Sequence, residues 1–432
     1  FPPEEMYGRP SFSYVLNQVS EFYLKNREKI IEQSSQIKSV IEQNQKKSAV
    51  INQSLFPYIE TLINYIDFEW GGFKGAPKFP QFYVFESFLY FYKKIKNKKL
   101  FDAVKILIDN VCSRGLYDHL LGGIARYSTD ERWIAPHFEK MFYDNIMFVN
   151  LLGQLYLENP NQYYKDKLIQ TVEFVNNHFK NKENLLGSAF DADSEGIEGK
   201  YYVWDNEELK NVLEEDYEFF CKFYDISENG NWEGKNILIE KKLKPKNDEI
   251  NKINLIKNKL LSVRDKRSKP FFDDKTQIDL NALWVSTLIF VSEVLDKDEW
   301  RKFSKTSYDL IAEKTKEEIY HCYKDKEGVK VFLEDYTYIC QSALNFYEVT
   351  GEIYYLDKAK NVAEKTWNLF YDENNKILQK NPINENDLFV SPSDVNDHNI
   401  PNGNSAFLLN CKKLEVITGE SKWKKMTEEL KK

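Results

Sequence analysis

The densest collection of side chains able to move protons or hold a polar ligand lies between Gly115 and Asp144, GLYDHLLGGIARYSTDERWIAPHFEKMFYD. It holds two of the five histidines, His119 and His137, together with Glu139, Asp144, Arg126, Tyr127, Trp133 and Tyr143. Imidazoles and carboxylates side by side suit general acid–base work. Rings can take the apolar face of a sugar while Arg126 holds hydroxyls. Pro136 predicts a helix start, which would place His137, Lys140, Met141 and Asp144 on one face. A second acidic segment, SAFDADSEGIEGKYYVW from Ser188 to Trp204, adds Asp191 and Asp193, with Tyr201 and Trp204 as further rings. Crowded carboxylates raise one another's pKa values.

The expected catalytic set is therefore His137, Glu139, Asp144, Asp191 and Asp193. The expected substrate-binding set is His119, Arg126, Tyr127, Trp133, Tyr143, Tyr201, Trp204, Lys78 and Asp335. Hydrolysis of a glycoside would pair two carboxylates, Asp191 with Asp144 or with Asp335. Epimerisation would need two bases, for which His119 and His137 are the expected pair.

Other chemistries find less support. Asp191-x-Asp193-x-Glu195-Gly196 imitates a calcium loop but carries Tyr202 where the bidentate Glu belongs. The histidines are never at HxxxH spacing and the cysteines never form CxxC, so no metal is expected. No Gly-rich nucleotide loop or GxSxG elbow occurs, and no cofactor is expected. Arg264 to Asp274 (RDKRSKPFFDD) reads as an ion-pair network. A net charge of −8 and a pI near 5.5 argue against nucleic acid. The most apolar stretch, Leu280 to Leu295, is interrupted by Ser286, Ser292 and Glu293, and no membrane span is expected. Five scattered cysteines predict reduced thiols and a cytoplasmic setting.

Positioning such residues falls to helices. Apolar periodicity predicts them over roughly 50–66, 82–96, 98–114, 139–158, 160–180, 205–224, 247–265, 276–296, 297–317, 335–350, 353–370, 403–418 and 420–431, after a long first helix from Ser11. Helices apolar nearly all round alternate with helices that keep a polar face. That alternation, with no fixed-period repeat, predicts an all-α protein: two concentric rings, an (α/α)6 toroid. Gly199 to Trp204 and Lys235 to Glu240 predict short β-hairpins on the rim loops. Long loops of a toroid gather over its central funnel, where the functional residues are expected.

The stretches GGFKGAPKFP, GLYDHLLGGIARYSTDERWIAPHFEKMFYDN, SAFDADSEGIEGKYYVW, EGKN, RDKRSKPFFDDK, LEDYTY and PNGNSA occur in this order along nearly the whole chain. In them the sequence resembles the spermatogenesis-associated, thioredoxin-domain-containing family. The resemblance implies a thioredoxin-like module followed by a toroid of the six-hairpin glycosidase type, similar to N-acylglucosamine 2-epimerases and several glycoside hydrolases. It divides the chain into residues 1–47, the tail of such a module with its connecting segment, and residues 48–432, the toroid, incomplete at its C-terminal hairpin. One departure is Gln277-Ile278-Asp279-Leu280-Asn281, where the family carries a Trp after DDK. The implied activity is on a small-molecule sugar, by hydrolysis or epimerisation. The rival reading is a non-catalytic scaffold for a thioredoxin-like domain in cis.

Overall fold

The fold follows from that alternation of helix types. In the computed structural model, residues 1–6, 8–44, 55–243, 245–316, 318–324, 327–383 and 395–431 are described. Helices α1 (Phe12–Lys25), α2 (Arg27–Asn44) and α3 (Phe56–Ile63) come first. Three helical hairpins and a lobe follow: α4 (Phe82–Ile95) with α5 (Lys98–Ser113), α6 (Phe142–Glu158) with α7 (Gln162–His178), the lobe helices α8 (Asn206–Leu213), α9 (Tyr217–Phe223) and α10 (Asn247–Arg264), then α11 (Ile278–Leu295) with α12 (Asp298–Lys314). Two more hairpins complete the order, α13 (Leu333–Thr350) with α14 (Ile353–Phe370) and α15 (Gly403–Thr418) with α16 (Ser421–Leu430).

In each hairpin the first helix is the apolar one and packs against the first helices of its neighbours, so α4, α6, α11, α13 and α15 form the inner wall. Their partners α5, α7, α12, α14 and α16 lie outside. The architecture is the (α/α)6 toroid type expected from the sequence, with inner helices all running in one direction.

Loop length then separates the two rims. Inner helices pass to outer ones through tight turns. Asn97 and Asn161 cap α5 and α7 by accepting backbone N–H groups of Lys99 and Tyr164. Gly351 and Gly419, at φ 71° and 68°, end α13 and α15 in the left-handed conformation that glycine adopts without strain. Outer helices return to inner ones through residues 114–141, 179–277, 315–332 and 371–402. All long loops therefore lie at the end where the inner helices begin.

Some expectations are corrected here. Residues 136–141 are not helical. Pro136–His137 pairs with Tyr127–Ser128, and Lys140–Met141 pairs with Ala189–Phe190, before α6 begins at Phe142. Period-2 burial explains the difference: Phe138 and Lys140 point inward while His137 and Glu139 face outward. Residues 199–204 and 235–240 contribute isolated bridges, Trp204 with Asn236 and Tyr224 with Glu240, in place of hairpin strands. The start of the expected 50–66 helix, the end of the 297–317 helix and the 47/48 boundary lie outside the described residues. Helix α11 is long and apolar enough to cross a membrane, but 78% of it is buried as inner wall, which accounts for its composition. All five cysteines are thiols.

Candidate functional site

At the long-loop rim the inner helices present acids in their first turns: Asp144 on α6, Asp279 on α11, and Glu334 and Asp335 on α13. A helix N-terminus favours negative charge, so acids are expected there on that ground alone. What each carboxylate does with its oxygens separates capping from chemistry.

Asp335 is fully buried and fully engaged. Oδ2 accepts the Phe332 N–H at 2.8 Å, and Oδ1 accepts the Asp279 N–H at 3.1 Å and faces His321 Nδ1 at 3.1 Å. Asp279 approaches the same ring nitrogen, its Oδ1 3.8 Å from Nδ1. Burial, and then the charge of Asp335, push the Asp279 carboxyl up to about 7. His321 is shifted the other way from a simple buried histidine. Burial lowers its pKa, but the hydrogen bond to Asp335 and the charges of Asp335 and Asp279 override this and raise it. These three groups bring one ligand atom each within 4.8 Å, a spacing a cation could use, although the hydrogen bonds already account for it. Asp279, Glu334 and His321 open on a cavity of about 260 Å³, also lined by Tyr143, Lys380, His398 and Asn402.

Asp144 behaves differently. Its Oδ2 is inaccessible and accepts no hydrogen bond. Burial raises its pKa well above the carboxylate range; the Arg126 charge pulls it down and Glu139 pushes it up. The residue lines a second cavity of about 420 Å³ with Phe79, Tyr83, Asp397, His398 and Asn399. His398 and Asn399 border both cavities, so the two adjoin at the funnel mouth. Tyr83 and Asp397 also border a larger axial space of about 670 Å³ enclosed by α4, α6, α11, α13 and α15.

Five expected residues lie in the segment beside Asp144, of which Tyr143 lines a cavity. Arg126 Nη1 donates to Glu139 Oε2 at 3.1 Å, and His137 Nδ1 lies 2.6 Å from Glu198 Oε1. Tyr127 is sandwiched between Phe79, 4.6 Å away, and His137, 5.1 Å away. Tyr143 lies within electrostatic reach of both Asp144 and Arg126. Burial raises its pKa and the Asp144 charge adds to that.

The remaining expected residues are not brought to the mouth. Asp191 and Asp193 are exposed on a surface hairpin, and the one polar contact between them is the Asp193 N–H donated to Asp191 Oδ1 at 3.3 Å. His119 is sealed between Glu240 at 3.1 Å and the Arg114 carbonyl at 3.0 Å, with burial lowering its pKa. Lys78 is buried against Asp67 at 2.7 Å, and Trp133 donates its indole N–H to the Trp70 carbonyl. Tyr201 and Trp204 are packed under Arg264 and Arg267 in the lobe. These are the supports of the long loops, and the segment rich in functional residue types supplies them because a long loop over a core needs buried polar ties. Replacing Asp191 and Asp193 together by Asn is accordingly expected to shift stability by less than about 0.5 kcal/mol. A denaturation midpoint that moves clearly would show that these acids do structural work.

Sequence reasoning missed Asp279 and His321 as site residues. The signal was present: an acid at the second position of a helix apolar all round, and a lone histidine in the loop before another such helix.

Comparison with known proteins agrees with the geometry at the level of fold. No family model matches the chain. It is similar to spermatogenesis-associated protein 20 of Homo sapiens, 26% identical over 98% of this chain and 62% of that protein, and to its counterpart in Mus musculus, 26% identical over 98% and 61%. The chain thus spans about three fifths of the length of these curated relatives. Among solved structures it is similar to D-mannose isomerase, with a TM-score of 0.54 at 11% identity, covering 89% of this chain and 86% of that one.

Proposed function

We propose that the funnel mouth is the active site of a carbohydrate-active enzyme working by general acid–base chemistry. The observation that carries this reading is Asp144, a carboxyl with a raised pKa in the wall of an open polar cavity, one of whose oxygens is enclosed without a partner. A second acid poised near neutral pH, Asp279, borders the adjoining cavity. A pair of carboxyls with raised pKa values is suited to proton donation to a leaving oxygen, or to proton exchange at a sugar carbon. Phe79, Tyr83 and Tyr143 offer rings, and Asn399, which borders both cavities, offers an amide to hydroxyls. Likeness of the fold to a mannose isomerase supports a sugar as ligand. Hydrolysis would draw on Asp144 with Asp279, epimerisation on a carboxyl with His321; His119 and His137 do not converge on the cavities. Open cavities, not ones plugged by side chains, favour the enzyme over a scaffold.

We read residues 48–432 as the toroid, residues 1–47 as a segment that packs against a thioredoxin-like domain in cis, and the setting as cytoplasmic. Exposed Phe12, Leu16, Val19 and Tyr23 on α1 support a packing surface there, and the five thiols support a reducing compartment. A library of free sugars and short glycosides, screened by thermal shift, tests the sugar reading. At least one is expected to raise the melting temperature of the wild type but not of Asp144→Asn with Asp279→Asn. Uniform silence, or an equal shift in the double variant, would refute it.

A further inference from the structure

Ser188, Gln277 and His321 form a polar chain that ends on the buried Asp335 carboxylate, and its hydrogens can be counted. Ser188 Oγ lies 2.8 Å from Gln277 Oε1 and 3.0 Å from the Lys275 carbonyl. Its single hydrogen serves one of these at a time. Gln277 Nε2 lies 3.4 Å from His321 Nε2, and His321 Nδ1 lies 3.1 Å from Asp335 Oδ1.

Two complete patterns satisfy this chain. With His321 neutral and its proton on Nδ1, the Gln277 amide donates to Nε2 and its carbonyl accepts from Ser188. With His321 charged, Nε2–H needs an acceptor. The amide then turns over, presenting Oε1 to the imidazole and Nε2–H to the Ser188 oxygen, and Ser188 passes its hydrogen to the Lys275 carbonyl. Oxygen and nitrogen of a side-chain amide exchange places without moving the heavy-atom frame. In either pattern both imidazole nitrogens, Gln277 Oε1 and Ser188 Oγ face a partner of the right kind, which reduces the usual cost of charging an enclosed imidazole.

We infer that His321 is the proton-carrying group of this cavity and Gln277 its positioning residue, the amide reversing each time Nε2 gains or loses its proton. The inference rests, for its use in catalysis, on the acid–base reading of the mouth. Once the amide has turned away from the Nε2 lone pair, the proton comes from a hydroxyl of the ligand or from solvent in the cavity that both residues line, and it returns there, while Nδ1–H stays hydrogen-bonded to Asp335. The groups facing His321 are Asp279 from α11 and Asp335 and Glu334 from α13, with the Phe332 ring 4.7 Å away under Lys380. Tyr143 and His398 line the same cavity. Three acids against one lysine favour the charged imidazole, in line with its raised pKa.

Histidine ¹⁵N NMR on the full chain, with His321 assigned by comparison with His321→Gln, tests this. In the wild type the neutral ring should carry its proton on Nδ1 and titrate above the ordinary value of about 6.5. Gln277→Glu supplies a permanent acceptor and should raise the midpoint. Gln277→Leu leaves Nε2–H without one and should lower it by about one pH unit. Opposite shifts support the relay. A neutral ring protonated on Nε2, or variants that titrate at the wild-type midpoint, would overturn it. Should Gln277→Leu fail to fold, Gln277→Ala, which likewise offers no acceptor, should lower the midpoint in its place. Opposite shifts in a protein that binds no sugar would leave the relay standing and the carbohydrate reading lost.

Discussion

Asp144→Asn is expected to lower turnover of a sugar substrate by about 10²–10⁴-fold, the usual contribution of a positioned general acid or base. The fold should be as stable as before or slightly more so. Asn keeps the shape and removes a carboxyl whose Oδ2 has no partner. The pH dependence follows from the direction of the shift. A raised pKa means that the folded state holds the Asp144 proton more tightly than the unfolded chain. Its contribution to stability is therefore complete below the ordinary carboxylate range, about 3.9, and is lost as pH rises through the higher folded value. In Asp144→Asn that loss should disappear, so the variant should gain on the wild type as pH rises. Chemical denaturation at several pH values, beside a turnover assay, checks both halves. Undiminished turnover would remove Asp144 from the chemistry, and a large loss of stability would make it structural.

Asp118→Ala should have the largest effect on the fold itself. Asp118 receives both terminal nitrogens of Arg264, at 2.9 and 3.0 Å, and Lys140 Nζ at 2.8 Å, and it accepts the Leu120 and Leu121 N–H groups. All three charged side chains are buried. Burial alone would raise the Asp118 pKa, but the charges of Arg264 and Lys140 override it and hold the carboxyl far below its usual range. Burial likewise lowers Lys140, to about 8, against the pull of Asp118. Removing the one anion strands two cations in the interior, at a cost of about 3–5 kcal/mol. The triad ties the 114–141 loop to α10, so the lobe should loosen first. For the wild type, a depressed Asp118 pKa means stability that is present above about 3.9 and lost only as pH falls through the much lower folded value. A denaturant midpoint within error of the wild type would show that the triad is not what holds the lobe down.

The toroid was legible in the sequence because its signal is repeated. α11, buried on every side, and α12, with its polar face, can be told apart by composition, and the same contrast recurs hairpin after hairpin. The one misplaced helix start, at Pro136 instead of Phe142, came from a rule that is only local. Proline suits a first helical turn, but it also suits the edge of a two-residue strand, and pairing with Tyr127–Ser128 decided the matter. Asp144, Arg126, Glu139 and Tyr143 were found at the mouth because they adjoin the start of an inner helix. Asp191 and Asp193 were not, because crowding of acids in sequence does not tell an enclosed cluster from a solvated turn. His321 could not be weighed at all until α11 and α13 brought Asp279 and Asp335 to its Nδ1. Such a site is a property of three loops meeting, and no single segment carries it.

A crystal of the protein soaked with the best ligand from the sugar screen decides whether a sugar occupies the funnel mouth against Asp144. A sugar ring is expected in the cavity lined by Phe79, Tyr83 and Asp144, with a hydroxyl or ring oxygen within hydrogen-bond distance of the Asp144 carboxyl. A sugar bound elsewhere on the surface, with that cavity holding only solvent, would contradict this.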